Sequence, residues 1–210
     1  KANHVQFYVR IPKIQAGTAN QGFDLYFGNP GAGNAQTTNR IWDDSYLIVL
    51  HLAGDIKDAA GHGATARKEG YVIQNGWTAG LIMSDSFPWV TFERSHKGDL
   101  VINPAATQAV GPSLTFVCRF RPTQKASMSL CSGTGFNFGI QGTQAICRIG
   151  DSSVTLEGVK IGQWQCGIFS YNATTGMCMI CLGKDGFVTT PLAPIPLKAT
   201  DLRIGREISN

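Results

Sequence analysis

The sequence predicts an all-β sandwich built from two antiparallel sheets. Charged residues make up only 15% of the chain, and 25 of its 210 residues are glycine. This composition is typical of strands joined by tight turns and disfavours a helix-rich or disordered chain. Short apolar runs also alternate with turn residues at the spacing of about 8 to 12 residues that is expected of a sandwich.

The central element of this prediction is the stretch 41–63. Residues 46–52 are apolar on both alternating faces, which predicts a strand that is buried from two sides. His51 would then lie in the core as a neutral, hydrogen-bonded side chain. The following residues, rich in Gly and Asp, predict a loop.

The residues before this stretch predict two half-buried strands at 5–11 and 23–27, because apolar and polar side chains alternate in both. Residues 28–39 are too rich in Gly, Asn and Thr to pack, so they predict a connection. We therefore expect the one domain boundary of the chain here, between a segment 1–36 and a segment 37–210.

The residues after the stretch predict a regular series of short strands. The clearest is 112–122, which should turn Leu114, Phe116, Cys118 and Phe120 inward. The other predicted strands are 80–83, 89–93, 99–102, 128–131, 136–140, 144–149, 154–156, 163–171, 177–182, 187–190 and 201–204.

Two motifs resemble a known family. The pattern W-D-x-x-Y-x-x-V-x-H-L at 42–52, followed by D-x-x-G-H-G at 58–63, resembles the opening of a concanavalin A-like, laminin-G-like (LamG) jelly roll. The upstream FDLYFGNPGA at 23–32 is similar to the DUF2341 segment of bacterial and phage proteins. The resemblance implies the end of a DUF2341-like segment at 1–36 and a LamG jelly roll at 37–210, with further residues beyond both ends of the chain.

Six cysteines permit three disulfides by count, but their positions favour free thiols. Cys118, Cys147 and Cys166 each share a predicted strand face with apolar neighbours, as small core residues do. Cys178 and Cys181 lie three apart in a strand, so they should point to opposite faces and form neither a bridge nor a zinc pincer. Free thiols indicate assembly in a reducing cytoplasm.

The pattern of acids, histidines and nucleophiles predicts a protein that is not an enzyme. Glucanases with this fold need a pair of carboxylates on one strand face, and no two acids alternate in any predicted strand. Asp43 and Asp44 are adjacent and should point apart. The chain also lacks a G-x-S-x-G motif, and its four histidines show no paired spacing.

Two weaker ligand sites are open alternatives. In the loop after residue 52, Asp55 and Asp58 offer oxygen ligands for Ca²⁺, with His62 where related loops carry Asn. A turn held by side-chain to backbone hydrogen bonds explains the same residues without a cofactor, and the sequence favours it. For sugar stacking the candidates are the aromatic residues near loops, which equally suit the rim of the core. These are Tyr71, Trp77, Trp89 and Tyr171.

Charge and hydropathy exclude two classes of partner. The net charge of +4 is spread out, with Arg67 and Lys68 as the one adjacent basic pair, so nucleic acid binding is not indicated. No apolar run approaches the roughly 18 residues that span a bilayer, so membrane insertion is not indicated either.

The favoured hypothesis is a non-catalytic, surface-displayed module of a phage virion, such as a tail, fibre or decoration protein assembled in the host cytoplasm. It would bind glycan or attach to other virion or surface proteins, and homo-oligomerisation stays open. The alternatives are an extracellular or cell-envelope lectin-like domain of a bacterium and a glucanase-type hydrolase.

Overall fold

The structure is a computed structural model that describes most of the chain from residue 41 onward. The described residues are 9, 17, 22, 26, 28–33, 41–52, 56–69, 72–75, 89–92, 98–104, 111–184, 186–197 and 202–205, with 72–75 and 89–92 described by their backbone. Their regular structure consists entirely of strands, and none of them forms a helix that could cross a bilayer.

Thirteen strands follow one another along these residues. They are β1 (Thr65–Glu69), β2 (Val72–Asn75), β3 (Trp89–Phe92), β4 (Asp99–Asn103), β5 (Ser113–Phe120), β6 (Ser127–Gly133), β7 (Phe136–Gln141), β8 (Gln144–Ile149), β9 (Ser152–Glu157), β10 (Gln165–Asn172), β11 (Met177–Leu182), β12 (Phe187–Pro191) and β13 (Leu202–Ile204).

These strands form a β-sandwich of the jelly-roll type, which confirms the predicted fold class. A seven-stranded sheet has the order β1-β4-β13-β6-β7-β8-β9, and a four-stranded sheet has the order β12-β11-β10-β5. A separate pair joins β2 to β3. Neighbouring strands are antiparallel throughout the described sheets, and β12 lies at one edge of the four-stranded sheet.

The core lies between the inner faces of the two large sheets. Phe138 of β7 and Phe169 of β10 have no exposed surface, and their rings stack at 5.6 Å with an angle of 16° between them. Because the two rings come from different sheets, this pair connects the layers directly. Each fully buried side chain of this size stabilises the fold by about 1.5 to 3 kcal/mol through removal of apolar surface from water.

The hairpin between β10 and β11 shows how the turns follow from the sequence. The Asn172 side chain accepts hydrogen bonds from the backbone N–H groups of Thr174 and Thr175, at 2.9 and 3.1 Å. Gly176 closes the turn at φ 72°, a conformation that favours glycine. This local chemistry sets the register in which Tyr171 pairs with Cys178.

The predicted strand at 46–52 is wrong. Its one ladder contact is an isolated bridge between Leu50 and Asp58, and Leu52 has a left-handed φ of 54°. The N–H of Val49 donates to the Asp58 carboxylate, and the carbonyl of Val49 accepts from the N–H of Ala59. Residues of the loop therefore occupy the two backbone groups of Val49 with which a neighbouring strand would pair. Four apolar side chains of this segment still pack against the core, namely Leu47, Ile48, Leu50 and Leu52.

Two consequences of that correction concern individual residues and strands. His51 is exposed and lies 6.3 Å from the Trp42 ring, so the prediction of a core histidine is wrong. The structure also contains β1 and β2, which the sequence did not predict. The β1 residues TARKE are mostly polar, and an edge strand with one half-buried face carries little apolar signal.

The predicted strands at 5–11, 23–27 and 80–83 lie outside the described residues, apart from isolated positions, as does the predicted boundary after residue 36. These remain predictions. Elsewhere the predicted strands match β3 to β13 closely, and 144–149 and 177–182 coincide with β8 and β11.

All six cysteines are free thiols in the structure. Cys131, Cys147 and Cys178 are buried, Cys118 and Cys181 are partly buried, and Cys178 and Cys181 face opposite sides of β11 as expected. Cys166 is the exception, because β10 turns Gly167, Phe169 and Tyr171 inward. The prediction that Cys166 is a core residue is therefore wrong.

An ion-pair network links three strands of the seven-stranded sheet. The guanidinium of Arg203 on β13 donates to Asp99 on β4 and, at 2.8 Å, to Glu69 on β1. Asp99 has no exposed surface, whereas the Glu69 side chain is 29% exposed. The hydrogen bond from Arg203 lowers the pKa of the Glu69 carboxyl below its usual range, so Glu69 stays charged beside the guanidinium.

Candidate binding surface

The Asp58 carboxylate organises the loop that the sequence offered as a Ca²⁺ site. One of its oxygens accepts hydrogen bonds from the N–H groups of Val49 and Ala60 at 3.0 and 2.9 Å, and the other accepts from the N–H of His62 at 3.3 Å. These are the side-chain to backbone hydrogen bonds expected of a turn, the alternative to a Ca²⁺ site. Asp55 lies outside the described residues.

The His62 side chain connects this loop to the segment before it. Its Nε2 lies 3.0 Å from the carbonyl oxygen of Asp43, and its Nδ1 lies 3.8 Å from the carboxylate of Asp44. In the part of the chain that the structure describes, no three His, Cys, Asp or Glu side chains are grouped as metal ligands would be. In the structure, Asp58 and His62 hold the loop through these hydrogen bonds, and the Ca²⁺ site, which includes Asp55, stays a prediction.

Substitution of Asp58 by alanine is expected to lower the free energy of unfolding by about 2 to 3 kcal/mol, because three backbone donors lose a charged acceptor. Urea denaturation measures the change. Asp44→Ala is the matched control, since the Asp44 side chain is fully exposed, and it should cost less than about 0.5 kcal/mol. A melting temperature that falls when EDTA is added to the wild type would instead support bound Ca²⁺.

The four aromatic residues predicted as candidates for sugar stacking lie in different surroundings. Tyr171 is fully buried, and its hydroxyl donates to the Ala193 carbonyl and accepts from the Ile195 N–H, both at 2.8 Å. The ring is therefore a core residue that anchors 193–195, and its assignment as a ligand contact is wrong. Trp89 lies in β3, while Tyr71 and Trp77 lie outside the described residues.

The structure instead shows an exposed apolar surface on the outer face of the four-stranded sheet. Val117, Ile168, Cys181 and Phe187 are direct partners in successive strands, so they form one line across all four. We call them the apolar row. Val117 is 65% exposed and Phe187 is 73% exposed. Met177, which lies on the same face at the other end of β11 opposite Pro191, is 38% exposed.

A second group lies on the same face at the β5 edge. The guanidinium carbons of Arg119 and Arg121 lie 5.0 and 5.2 Å from the centroid of the Trp164 ring, within the range of cation–π contacts. We call these three residues the arginine cluster. Stacking on an aromatic ring orders a guanidinium without removing its positive charge.

The composition of the sheet makes this face cationic. The four strands β5, β10, β11 and β12 contain no Asp or Glu, and Arg119 is their one basic residue. Arg121 follows directly after β5. An acidic ligand would therefore meet positive charge beside apolar surface, without a repelling carboxylate from these strands.

The structure also brings two acids together on neighbouring strands of the seven-stranded sheet. Glu69 and Asp99 are partners in the β1–β4 register, although no pattern in the sequence indicated paired carboxylates. Both contact Arg203, and Asp99 has no exposed surface. A substrate would need access to both carboxyl groups.

Comparison with known proteins concerns the fold alone. No family model matches the chain, and no curated protein matches it. Among solved structures, the chain is similar to the crystal structure of the receptor-binding domain of the botulinum neurotoxin C/D mosaic serotype, with a TM-score of 0.56 and 12% sequence identity. The similarity covers 77% of this chain and 43% of the neurotoxin structure. This chain therefore spans less than half of the length of that structure.

Proposed function

We propose that the chain is a non-catalytic binding module that attaches to a neighbouring protein through the outer face of the four-stranded sheet. The observation that carries the proposal is the apolar row, which crosses every strand of that sheet. Contiguous exposed apolar surface of this kind marks interaction sites in soluble proteins. The solved structure with a similar fold is described as a receptor-binding domain, which is in keeping with a binding role.

The chemistry of the face favours a protein over a glycan. Aromatic residues, methionine and arginine are enriched in protein interfaces, and Phe187, Met177 and Arg119 supply all three here. A sugar site needs convergent polar groups that fix the orientation of the ligand, whereas the apolar row offers aliphatic and aromatic carbon. The partner that fits has an apolar strip for the row and carboxylates for the arginine cluster.

The setting of the acids supports the absence of catalysis. General acid and base groups must reach the substrate, and one of the two must hold or release a proton near neutral pH. Arg203 instead keeps the pKa of Glu69 low, and the Asp99 side chain has no exposed surface. Glu69 and Asp99 therefore stabilise the fold through their contacts with Arg203.

We further propose a phage virion as the carrier, with the module on a tail, fibre or decoration protein. The resemblance of its motifs to DUF2341 and LamG proteins supports this, as do six free thiols, which suit assembly in a reducing cytoplasm. A lectin-like domain of a bacterial envelope or secreted protein is the alternative, and there the partner would be a glycan.

Photo-crosslinking in the parent particle or cell surface tests the face. A benzophenone amino acid replaces Val117 or Phe187, and Ser153, an exposed residue on β9 of the other sheet, is the matched control position. Positions 117 and 187 should crosslink to one and the same protein, and position 153 should not. No crosslink from either position, or equal crosslinking from 153, would overturn the proposal.

The partner found in this way allows the charges to be tested. Arg119→Glu combined with Arg121→Glu should weaken binding roughly 10- to 100-fold, because a carboxylate of the partner that was attracted by two cations is now repelled by two anions. Arg148→Glu on β8 of the other sheet should leave affinity unchanged. A glycan-array signal that the same double substitution abolishes would assign the face to a glycan.

A further inference from the structure

Exposed aromatic residues also lie on the segment before the Asp58 loop, which contributes nothing to the apolar row or the arginine cluster. The rings of Trp42 and Tyr46 meet edge to face with their centroids 5.0 Å apart, and the His51 ring lies 6.3 Å from the Trp42 ring. Tyr46 is 42% exposed, His51 is exposed and Trp42 is partly buried. We call these three residues the aromatic cluster.

Hydrogen bonds fix the backbone that carries this cluster. The Asp43 carbonyl accepts from the N–H of Tyr46, which closes a β-turn, and it lies 3.0 Å from Nε2 of His62. The Asp43 carboxylate accepts from both the N–H and the hydroxyl of Ser45. Leu47, the next residue along the chain, packs against the core. Because the turn is already ordered, a ligand that binds to it loses less free energy to the ordering of the chain.

Two polar groups suited to a ligand lie beside this turn. The Asp44 side chain is fully exposed, and its carboxylate lies 3.8 Å from Nδ1 of His62. A carbonyl oxygen only accepts hydrogen bonds, so the contact with Asp43 places the hydrogen of the neutral imidazole on Nε2. Nδ1 is then an acceptor, as is the Asp44 carboxylate. Two acceptors at this separation suit a ligand that carries O–H groups on adjacent atoms.

We propose that this turn is a second binding site, separate from the outer face of the four-stranded sheet, and that it takes a neutral pyranose unit of a glycan. The Tyr46 ring stacks on the C–H face of the sugar. The Asp44 carboxylate and Nδ1 of His62 accept hydrogen bonds from sugar hydroxyls and so fix its orientation. The site does not depend on the proposed attachment of a protein to the binding face.

The composition of the turn selects the class of ligand. Residues 43–46 are all exposed and supply two carboxylates and one aliphatic hydroxyl beside the Tyr46 ring, whereas the apolar row supplies chiefly apolar surface. The segment 41–52 contains no Lys or Arg that would offset the two carboxylates. Like charges brought together oppose binding, so sugars that carry a carboxylate, such as sialic and uronic acids, fit this turn poorly.

Glycan binding by the purified chain tests the site. An array of neutral and acidic glycans is screened first, and the neutral glycan with the strongest signal is then titrated by isothermal titration calorimetry. Tyr46→Ala should weaken that affinity at least about 10-fold, because the stacking ring is lost. Tyr46→Phe keeps the ring and should stay within about twofold of the wild type. Asp44→Ala should weaken the affinity about 3- to 10-fold through loss of an acceptor.

The matched control is Phe187→Ala, which removes an exposed aromatic residue of the apolar row and should leave the glycan affinity unchanged. A loss of affinity in this variant alone would place the glycan on the binding face and overturn the proposal. Because the Asp44 side chain is fully exposed, Asp44→Ala is expected to fold as the wild type does. Its affinity therefore decides the test if Tyr46→Ala does not fold.

Three further results would overturn the proposal. One is an array on which no neutral glycan binds the chain. Another is an affinity that neither Tyr46→Ala nor Asp44→Ala lowers. The third is a signal confined to sialylated glycans or glycans with uronic acids. None of these results bears on the binding face, because the crosslinking test at positions 117 and 187 involves no residue of the turn.

Discussion

Replacement of Arg203 by methionine is expected to lower the free energy of unfolding by about 3 to 5 kcal/mol, because it leaves the buried Asp99 carboxylate without the guanidinium. Asp99 has no exposed surface, and it reaches Arg203 across the β4–β13 register. Denaturation with guanidinium chloride at neutral pH measures the change in the free energy of unfolding. A cost below about 1 kcal/mol would show that Asp99 does not depend on this ion pair.

Two controls separate the ion pair from the loss of side-chain volume. Arg203→Met combined with Asp99→Asn should recover part of the stability, since the buried charge is then gone. The pH dependence is the second control. The Glu69 carboxyl has a pKa below its unfolded value of 4.5, so its contribution is present above pH 4.5 and is lost as the pH falls through the folded value. That part of the acid sensitivity should disappear in Glu69→Gln and in Arg203→Met.

Replacement of Phe138 by alanine is the second large effect, with an expected loss of about 3 to 5 kcal/mol. The substitution removes one ring of the stack with Phe169 and leaves a cavity between two sheets that have little freedom to collapse. Urea denaturation measures it, with Val117→Ala as the control at an exposed position that should change stability by less than about 0.5 kcal/mol. An equal loss in both variants would contradict a core centred on Phe138.

The sequence predicted strands well where one face alone is apolar. In β5 the alternation places Phe116 and Phe120 toward the core and Val117 outward, as the structure does. The same rule failed at 46–52, because an apolar run does not reveal that the Asp58 side chain will take the backbone N–H of Val49. It failed again for the face of β10, where Cys166 and Ile168 look apolar enough to be core and Gly167 lies inward in their place.

The candidate binding surface could not be predicted from the sequence, for a different reason. The apolar row joins Val117 to Phe187 through β10 and β11, so its existence depends on strand order and register. Contacts such as Arg203 with Glu69, or Phe138 with Phe169, likewise join residues far apart in sequence. Periodicity identifies which residues share a face of one strand, but it does not identify which strands become neighbours.

The position of β12 restricts how a partner can reach the sheet. This strand lies at the edge of the four-stranded sheet, spans Phe187–Pro191, and ends in a residue that has no N–H to donate. An incoming chain that tried to extend the sheet past this edge would find a short template and a missing donor. At the β12 edge, open-ended strand stacking of the kind that builds fibres is therefore disfavoured.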